Sequence, residues 1–185
     1  MAEEKKIDKR IIKTDLAIRE TAIRLLQRKK IDQITVGEIC DLAGISRNAF
    51  YNHYEDKYVL MNALSNAFID DLMNRIMEEN IDIFYHVAVS KTAWLFFNYL
   101  DQHEDRLRLL CRNDPGFWQC FTDRVKDFTV NVAGSSVSNE IYATYTASGL
   151  TGCLKLYFEK GAGMSKSAYI KAVIDISQRA NTYIV

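Results

Sequence analysis

Apolar residues at Leu16, Ala17, Ile18, Ala22, Ile23, Leu25 and Leu26 recur at helical spacing. They predict an amphipathic helix from Thr14, a candidate cap, to about residue 28 or 30. Ile31 and Ile34 bracket a link, and then Thr35 and Glu38 stand three apart, the spacing of a capping box. Val36, Ile39, Cys40 and Ala43 fall on one face of the helix this box opens, and Gly44 stands where that helix must stop. Ile45 plugs the turn and Ser46 can cap a second short helix, roughly residues 47 to 54. That helix buries Ala49 and Phe50, with Tyr54 at its edge, and leaves Arg47, Asn48, Tyr51, Asn52 and His53 outward or at the margins. Asp56 can cap a long helix over residues 58 to about 79, with Leu60, Met61, Leu64, Phe68, Leu72 and Ile76 inward and Met77 at the edge of that face. At 1.5 Å per residue it spans ~30 Å and would join the first module rigidly to the second half of the chain.

Five more helices are expected: about residues 83–100, rich in aromatics; 104–111; 117–132; 140–160; and 165–183. Asp114 and Pro115 suit the cap and first position of the third of these, and residues 133–139, AGSSVSN, form the clearest loop. The segment 140–160 is apolar nearly all round, with a small-residue face of Ala143, Thr146, Ala147, Gly149 and Gly152. Glycine inside a helix costs ~1 kcal/mol against alanine, so close approach of another helix is the expected reason for the pair.

Composition agrees with an all-α fold of about nine helices: 48% hydrophobic and 26% charged residues, one proline, eight glycines. Lys+Arg and Asp+Glu both number 24, so any positive potential must be local. It is uneven, since the first thirty residues carry ten basic and five acidic side chains. Cys40, Cys111, Cys120 and Cys153 show no metal-ligand spacing and read as buried thiols of a reduced compartment. The start, MAEEKKIDKR, has no signal-peptide core, and no apolar run reaches the ~18 residues of a membrane span. A soluble, cytoplasmic chain is the expectation. His53, His86 and His103 are scattered, without HExxH, GxSxG or a phosphate-cradling glycine loop. The reading is therefore no enzyme, no catalytic residue, no metal and no cofactor.

The short helix after Ser46 carries Arg, Asn, Tyr and His and almost no acid, which suits a DNA major groove. Arg47 and Asn48 lie at its start, where arginine can pair bidentately with guanine and asparagine with adenine. Asn52 sits one turn on and reaches a base or a phosphate. Tyr51 and His53 are assigned to phosphates, with the Thr35 and Ser46 hydroxyls and Lys57 beside them. For His53 simple packing on the first helix is equally open, and the Tyr54 hydroxyl belongs either to the core edge or to a phosphate. Lys57 stands in a first helical turn, a poor dipole position for a cation, so another partner should reward it.

The run Thr35-Val36, Ile39, Ala43-Gly44-Ile45-Ser46, Phe50-Tyr51, His53-Tyr54, Asp56-Lys57 and Leu60 resembles the DNA-binding signature of the TetR/AcrR family of transcriptional regulators. The likeness covers about the first third of the chain, and FYNHYEDKYVL is most similar to a Firmicutes-type branch with short second domains. It implies a three-helix DNA-binding domain over residues 1–57, with a helix-turn-helix, and a helical dimerisation and effector domain over 58–185. It gives Lys57 a phosphate contact, and it implies a homodimeric repressor that binds a palindromic operator and is released by a small molecule. Trp94, Phe97, Trp118, Phe121, Tyr142 and Tyr145 are candidates for the effector pocket, although an aromatic stripe is also a plain way to fill a core. The last two long helices would supply half of a four-helix dimer interface through Ala143, Ala147, Gly149, Leu150, Gly152, Leu154, Ile170, Val173, Ile174 and Ser177. The alternative is a DNA-bound adaptor whose carboxy-terminal domain docks a protein partner instead of a small molecule.

Overall fold

The computed structural model describes residues 9–78, 86–133, 136–160 and 163–181. Among them are nine α-helices, one 3-10 turn and no strand. The helices are α1 (Lys9–Leu26), α2 (Val36–Ala43), α3 (Arg47–Tyr51), α4 (Lys57–Glu78), α5 (His86–Gln102), α6 (Glu104–Asn113), α7 (Phe117–Ala133), α8 (Val137–Lys160) and α9 (Lys166–Asn181); the 3-10 turn is Ile31–Gln33. The all-α expectation and the number of helices hold.

Several boundaries differ, each for a local reason. Thr14 lies inside α1, which is already helical at Lys9, the first described residue, and its hydroxyl donates back to the Arg10 carbonyl at 2.9 Å instead of capping. Leu16 is half exposed, so the buried stripe is Ile18, Thr21, Ala22, Leu25 and Leu26. Helix α3 closes at Tyr51, three residues early, because His53 and Tyr54 donate their amides back to the Phe50 carbonyl. Pro115 and Gly116 form the turn before α7, and the Cys120 amide bonds to the Gly116 carbonyl. Helix α8 starts at Val137, where the Ser136 hydroxyl accepts the Asn139 amide at 3.1 Å. The expected start of α5 near residue 83 lies outside the described residues.

The chain divides into two compact units. The first holds residues up to Ser65 together with Arg112–Asp114; the second holds Asn66–Cys111 and Pro115 onward. The first unit is therefore discontinuous in sequence. Its core is Ile18, Ala22, Leu25, Ile34, Ile39, Phe50, Leu60 and Leu64. Asn113 enters it from the end of α6: its side-chain carbonyl accepts the buried Ile31 amide at 2.9 Å. The first amides of a helical turn have no intrahelical partner, so Asn113 closes the 3-10 turn from the outside. Gln33 does the same for the Lys30 amide at 3.2 Å.

In the second unit the rings of Phe68, Tyr99, Phe117, Phe121, Phe96 and Trp118 meet edge to face, tilted or, for Phe117 and Phe121, stacked, with centroids 5.3–6.4 Å apart. Such geometry fills a core at high density. Helix α7 packs along α8, and α9 packs against α5. The buried side of α8 is Ala143, Ala147, Thr151, Leu154 and Phe158. No described helix is long and apolar enough to cross a membrane.

Candidate nucleic-acid interface

The first unit builds its outer face from two capped helices. The Thr35 hydroxyl accepts the Glu38 amide at 3.1 Å, and Glu38 reaches back to the Thr35 amide at 3.5 Å, so the capping box forms as the sequence predicts. Lys29 pairs with the same carboxylate; that bond, more than any other influence, holds Glu38 below the usual carboxylate range. Gly44 takes φ +67° and ψ 36° at the end of α2, a left-handed conformation that a side chain resists. The Ser46 hydroxyl then accepts the Ala49 amide at 3.1 Å and starts α3. At α4 the Asp56 carboxylate accepts the amides of Tyr58 and Val59 at 2.7 and 2.8 Å. Three helix starts are thus fixed within twenty-odd residues, each by a short polar side chain.

Between them lies an open groove of about 390 Å³, lined by Ile34, Thr35, Val36, Gly37, Arg47, Tyr51, Asp56, Lys57 and Tyr58. It brings four of the expected contact residues together: Thr35, Arg47, Tyr51 and Lys57. Asn48, Asn52 and Ser46 are exposed on or beside α3. Tyr51 is 53% exposed while Phe50 beneath it is fully buried, their rings meeting edge to face at 5.6 Å. Thr35 and Ser46 each use the hydroxyl oxygen as a cap acceptor, which leaves the O–H proton of each to donate elsewhere.

Lys57 has the partner its awkward position demanded, and it lies within the protein. Its ammonium donates to the Asp32 and Ile34 carbonyls at 2.9 and 2.8 Å. An ammonium has three donors, so one remains. Tyr58, which sequence reasoning passed over, places its ring 5.2 Å from that ammonium and donates its hydroxyl to Asp32 at 3.0 Å. This bond raises the Tyr58 pKa. Gly37 was missed as well, because a glycine carries no chemistry of its own.

The open question over Tyr54 is answered. It is buried, its hydroxyl donates to Asp15 on α1, and burial followed by that bond pushes its pKa well up. Asp15 also pairs with Arg19 at 2.7 Å, and the Arg19 guanidinium stands 5.8 Å from the Tyr54 ring. His53 is mostly covered, with Nδ1 4.0 Å from the same carboxylate. Packing on the first helix is where the structure puts it.

The aromatic candidates for an effector pocket do not form one group. Phe97 and Phe121 are fully buried and Trp118 nearly so, each against other rings. Trp94 and Tyr145 are 50% and 56% exposed, and Tyr142 is half-buried. The expected dimer surface also divides. Ala143, Ala147, Leu154, Ile170 and Val173 are buried within the single chain, where they fill its own core. Leu150 and Ile174 are half-buried, and the Ser177 side chain lies outside the described residues. Gly149 and Gly152 are exposed, and a Cβ built on either would meet nothing within 4 Å. The free face of α8 is instead Val137, Ile141, Tyr145 and Leu156, 47–76% exposed, on the side away from the buried stripe.

Among the described residues no three His, Cys, Asp or Glu side chains gather to hold a metal ion. Cys40 is buried, the other three cysteines are half-buried, and all four are free thiols.

Residues 18–64 match the family model of bacterial regulatory proteins, tetR family. A curated relative, described as an uncharacterized HTH-type transcriptional regulator, YxbF of Bacillus subtilis (strain 168), is 21% identical over 176 residues; these are 90% of this chain and 45% of the relative. The chain thus spans less than half the length of that relative. Among solved structures it is similar to a TetR transcriptional regulator from Streptococcus agalactiae 2603V (23% identity, 91% of this chain and 96% of that one, TM-score 0.65). It is similar also to NalD, the secondary repressor of the MexAB-OprM multidrug efflux pump in Pseudomonas aeruginosa (16%, 93% and 97%, TM-score 0.63). A third is the dihydroxyacetone kinase operon activator DhaS (18%, 92% and 96%, TM-score 0.59). These structural likenesses establish the fold.

Proposed function

We propose that this chain, a TetR-family regulator by its amino-terminal domain and its all-helical fold, binds operator DNA as a homodimer and represses transcription until an effector releases it. The observation that carries the DNA-binding part is the face of the first unit. A five-residue helix without an acid presents Arg47, Asn48 and Tyr51, with Asn52 just past its end, beside a groove holding Lys57 and the Thr35 hydroxyl. Arg47 and Asn48 read base edges; Tyr51, Thr35, Ser46 and the remaining Lys57 donor take phosphates.

Dimerisation is supported by the outer side of α8. Val137, Ile141, Tyr145 and Leu156 give it an apolar stripe, and Gly149 and Gly152 are glycines that no described neighbour in their own chain requires. A second copy packed there gives both features a reason, and two copies on a two-fold axis read half-sites about one helical turn (~34 Å), or a multiple of it, apart. Release requires an effector with different affinity for the bound and free conformations.

A second reading, the DNA-bound adaptor, is favoured by one observation: the aromatic residues fill a core ring against ring, while Trp94 and Tyr145 face outward. The two readings share the DNA face and differ in what the second unit takes. Selection from a random-sequence duplex library, followed by a salt titration of the enriched duplex, tests the shared part. Lys57→Ala should weaken all sequences alike and lower the salt slope by ~1. Failure to enrich any duplex would refute it.

A further inference from the structure

The groove contains one close approach that its chemistry does not explain. A Cβ built on Gly37 would lie 2.9 Å from Nη2 of Arg47, 3.6 Å from Cζ and 3.8 Å from Nε. The guanidinium of α3 therefore rests on the first turn of α2, in the space a side chain at residue 37 would take. Real Cβ atoms essentially never come within 3.0 Å of another heavy atom, so any larger residue there must move the guanidinium. The glycine is not demanded by the backbone, since among the described glycines only Gly44 and Gly163 have positive φ. Nor does α2 gain from it, because glycine is a poor helix former. The cation also sits near the positive end of the α2 dipole, which favours anions. Two unfavourable choices coincide at one contact.

We infer that Gly37 is a specificity-determining residue: by leaving its side-chain space empty, it seats the Arg47 guanidinium on α2 and so sets which base edge Arg47 reads. The inference rests on the DNA-binding reading and names a device within it. Bidentate recognition of guanine depends on the direction of a planar fork. A guanidinium held against a helix backbone approaches the duplex with that direction chosen and with less rotamer freedom left to lose. With a methyl group at residue 37 the fork is pushed off its seat, while the aliphatic stem and the charge remain.

Stability and recognition then move in opposite senses, which separates the proposal from a folding defect. Gly37→Ala improves helix propensity, and the atom it displaces is the far end of a flexible side chain. The full-length variant should melt no lower than the parent. The test uses duplexes enriched by the parent protein from a random-sequence library, with each half-site base then varied in turn. Gly37→Ala should lose roughly tenfold discrimination at the base position that Arg47→Ala also relaxes, and at no other. In the Arg47→Ala background the same glycine substitution should make no further difference. Unchanged base preference in Gly37→Ala would overturn the inference and leave the DNA-binding reading intact. So would an equal loss with and without Arg47, which would mean that residue 37 acts through backbone approach to the duplex. If the parent enriches no duplex, the underlying reading falls and the inference with it.

Discussion

Replacing Asn113 with alanine removes the acceptor for one amide, and its cost depends on where that amide lies. The Ile31 N–H is buried, and Asn113 is only 6% exposed. Without the side-chain carbonyl the N–H has no water to turn to. Leaving a buried donor unsatisfied costs ~1–3 kcal/mol, and for a chain of this size each kcal/mol lowers Tm by about 2–4 °C. Gln33 provides the internal contrast. It accepts the neighbouring Lys30 amide, but that bond is exposed, so Gln33→Ala hands the amide to solvent and costs a few tenths of a kcal/mol. Two bonds of nearly equal length, one residue apart, should therefore differ several-fold in effect because one is buried. Since the chain divides into two compact units, a single melting curve averages over them. Residue-resolved amide hydrogen exchange is the sharper assay. In Asn113→Ala the Ile31 amide should lose roughly 5- to 150-fold in protection, while amides in α7 keep theirs. Protection at Ile31 equal to that of the parent would refute the burial argument.

Three further outcomes are expected. Gly44→Ala places a Cβ in a left-handed residue with open space around it, so the cost is backbone strain alone, ~1–2 kcal/mol, read by urea denaturation; Gly44→Asn should recover part of it, and no loss with alanine would contradict the assigned φ. The folded-state pKa of Glu38 lies below its ordinary value of 4.5, so its bond to Lys29 contributes above that value and is lost as pH falls through the lower one. Parent and Glu38→Gln stabilities should differ at neutral pH and converge in acid, and a gap that persists in acid would argue against the pairing. Ile141→Arg charges the free face of α8, and light scattering should then report single subunits with weakened operator binding; an unchanged dimer would place the interface elsewhere.

What the sequence disclosed was local chemistry. The Thr35–Glu38 box, the Gly44 stop, the Ser46 and Asp56 caps and the all-helical class each depend on residues a few positions apart, and each appears as expected. What stayed hidden depends on distance. The Tyr54 hydroxyl finds Asp15 thirty-nine residues away, and Asn113 finds Ile31 across eighty-two. No spacing rule joins such pairs. Helix α8 hid its orientation because it is apolar nearly all round, so pattern alone placed the alanines and the glycines on one face. The structure turns Ala143 and Ala147 inward and Gly149 and Gly152 outward. Gly37 was silent because what it contributes is a vacancy beside another residue.

The discontinuity of the first unit has a consequence in time. As the chain leaves the ribosome, residues up to 65 emerge first, but the oxygen that closes the Ile31 turn is made forty-eight positions later. At about 5–20 residues per second the nascent helices wait some seconds with that turn unlatched. A fragment ended at residue 65 would wait indefinitely, so an isolated first unit is best built with the α6–α7 junction supplied in trans or grafted on.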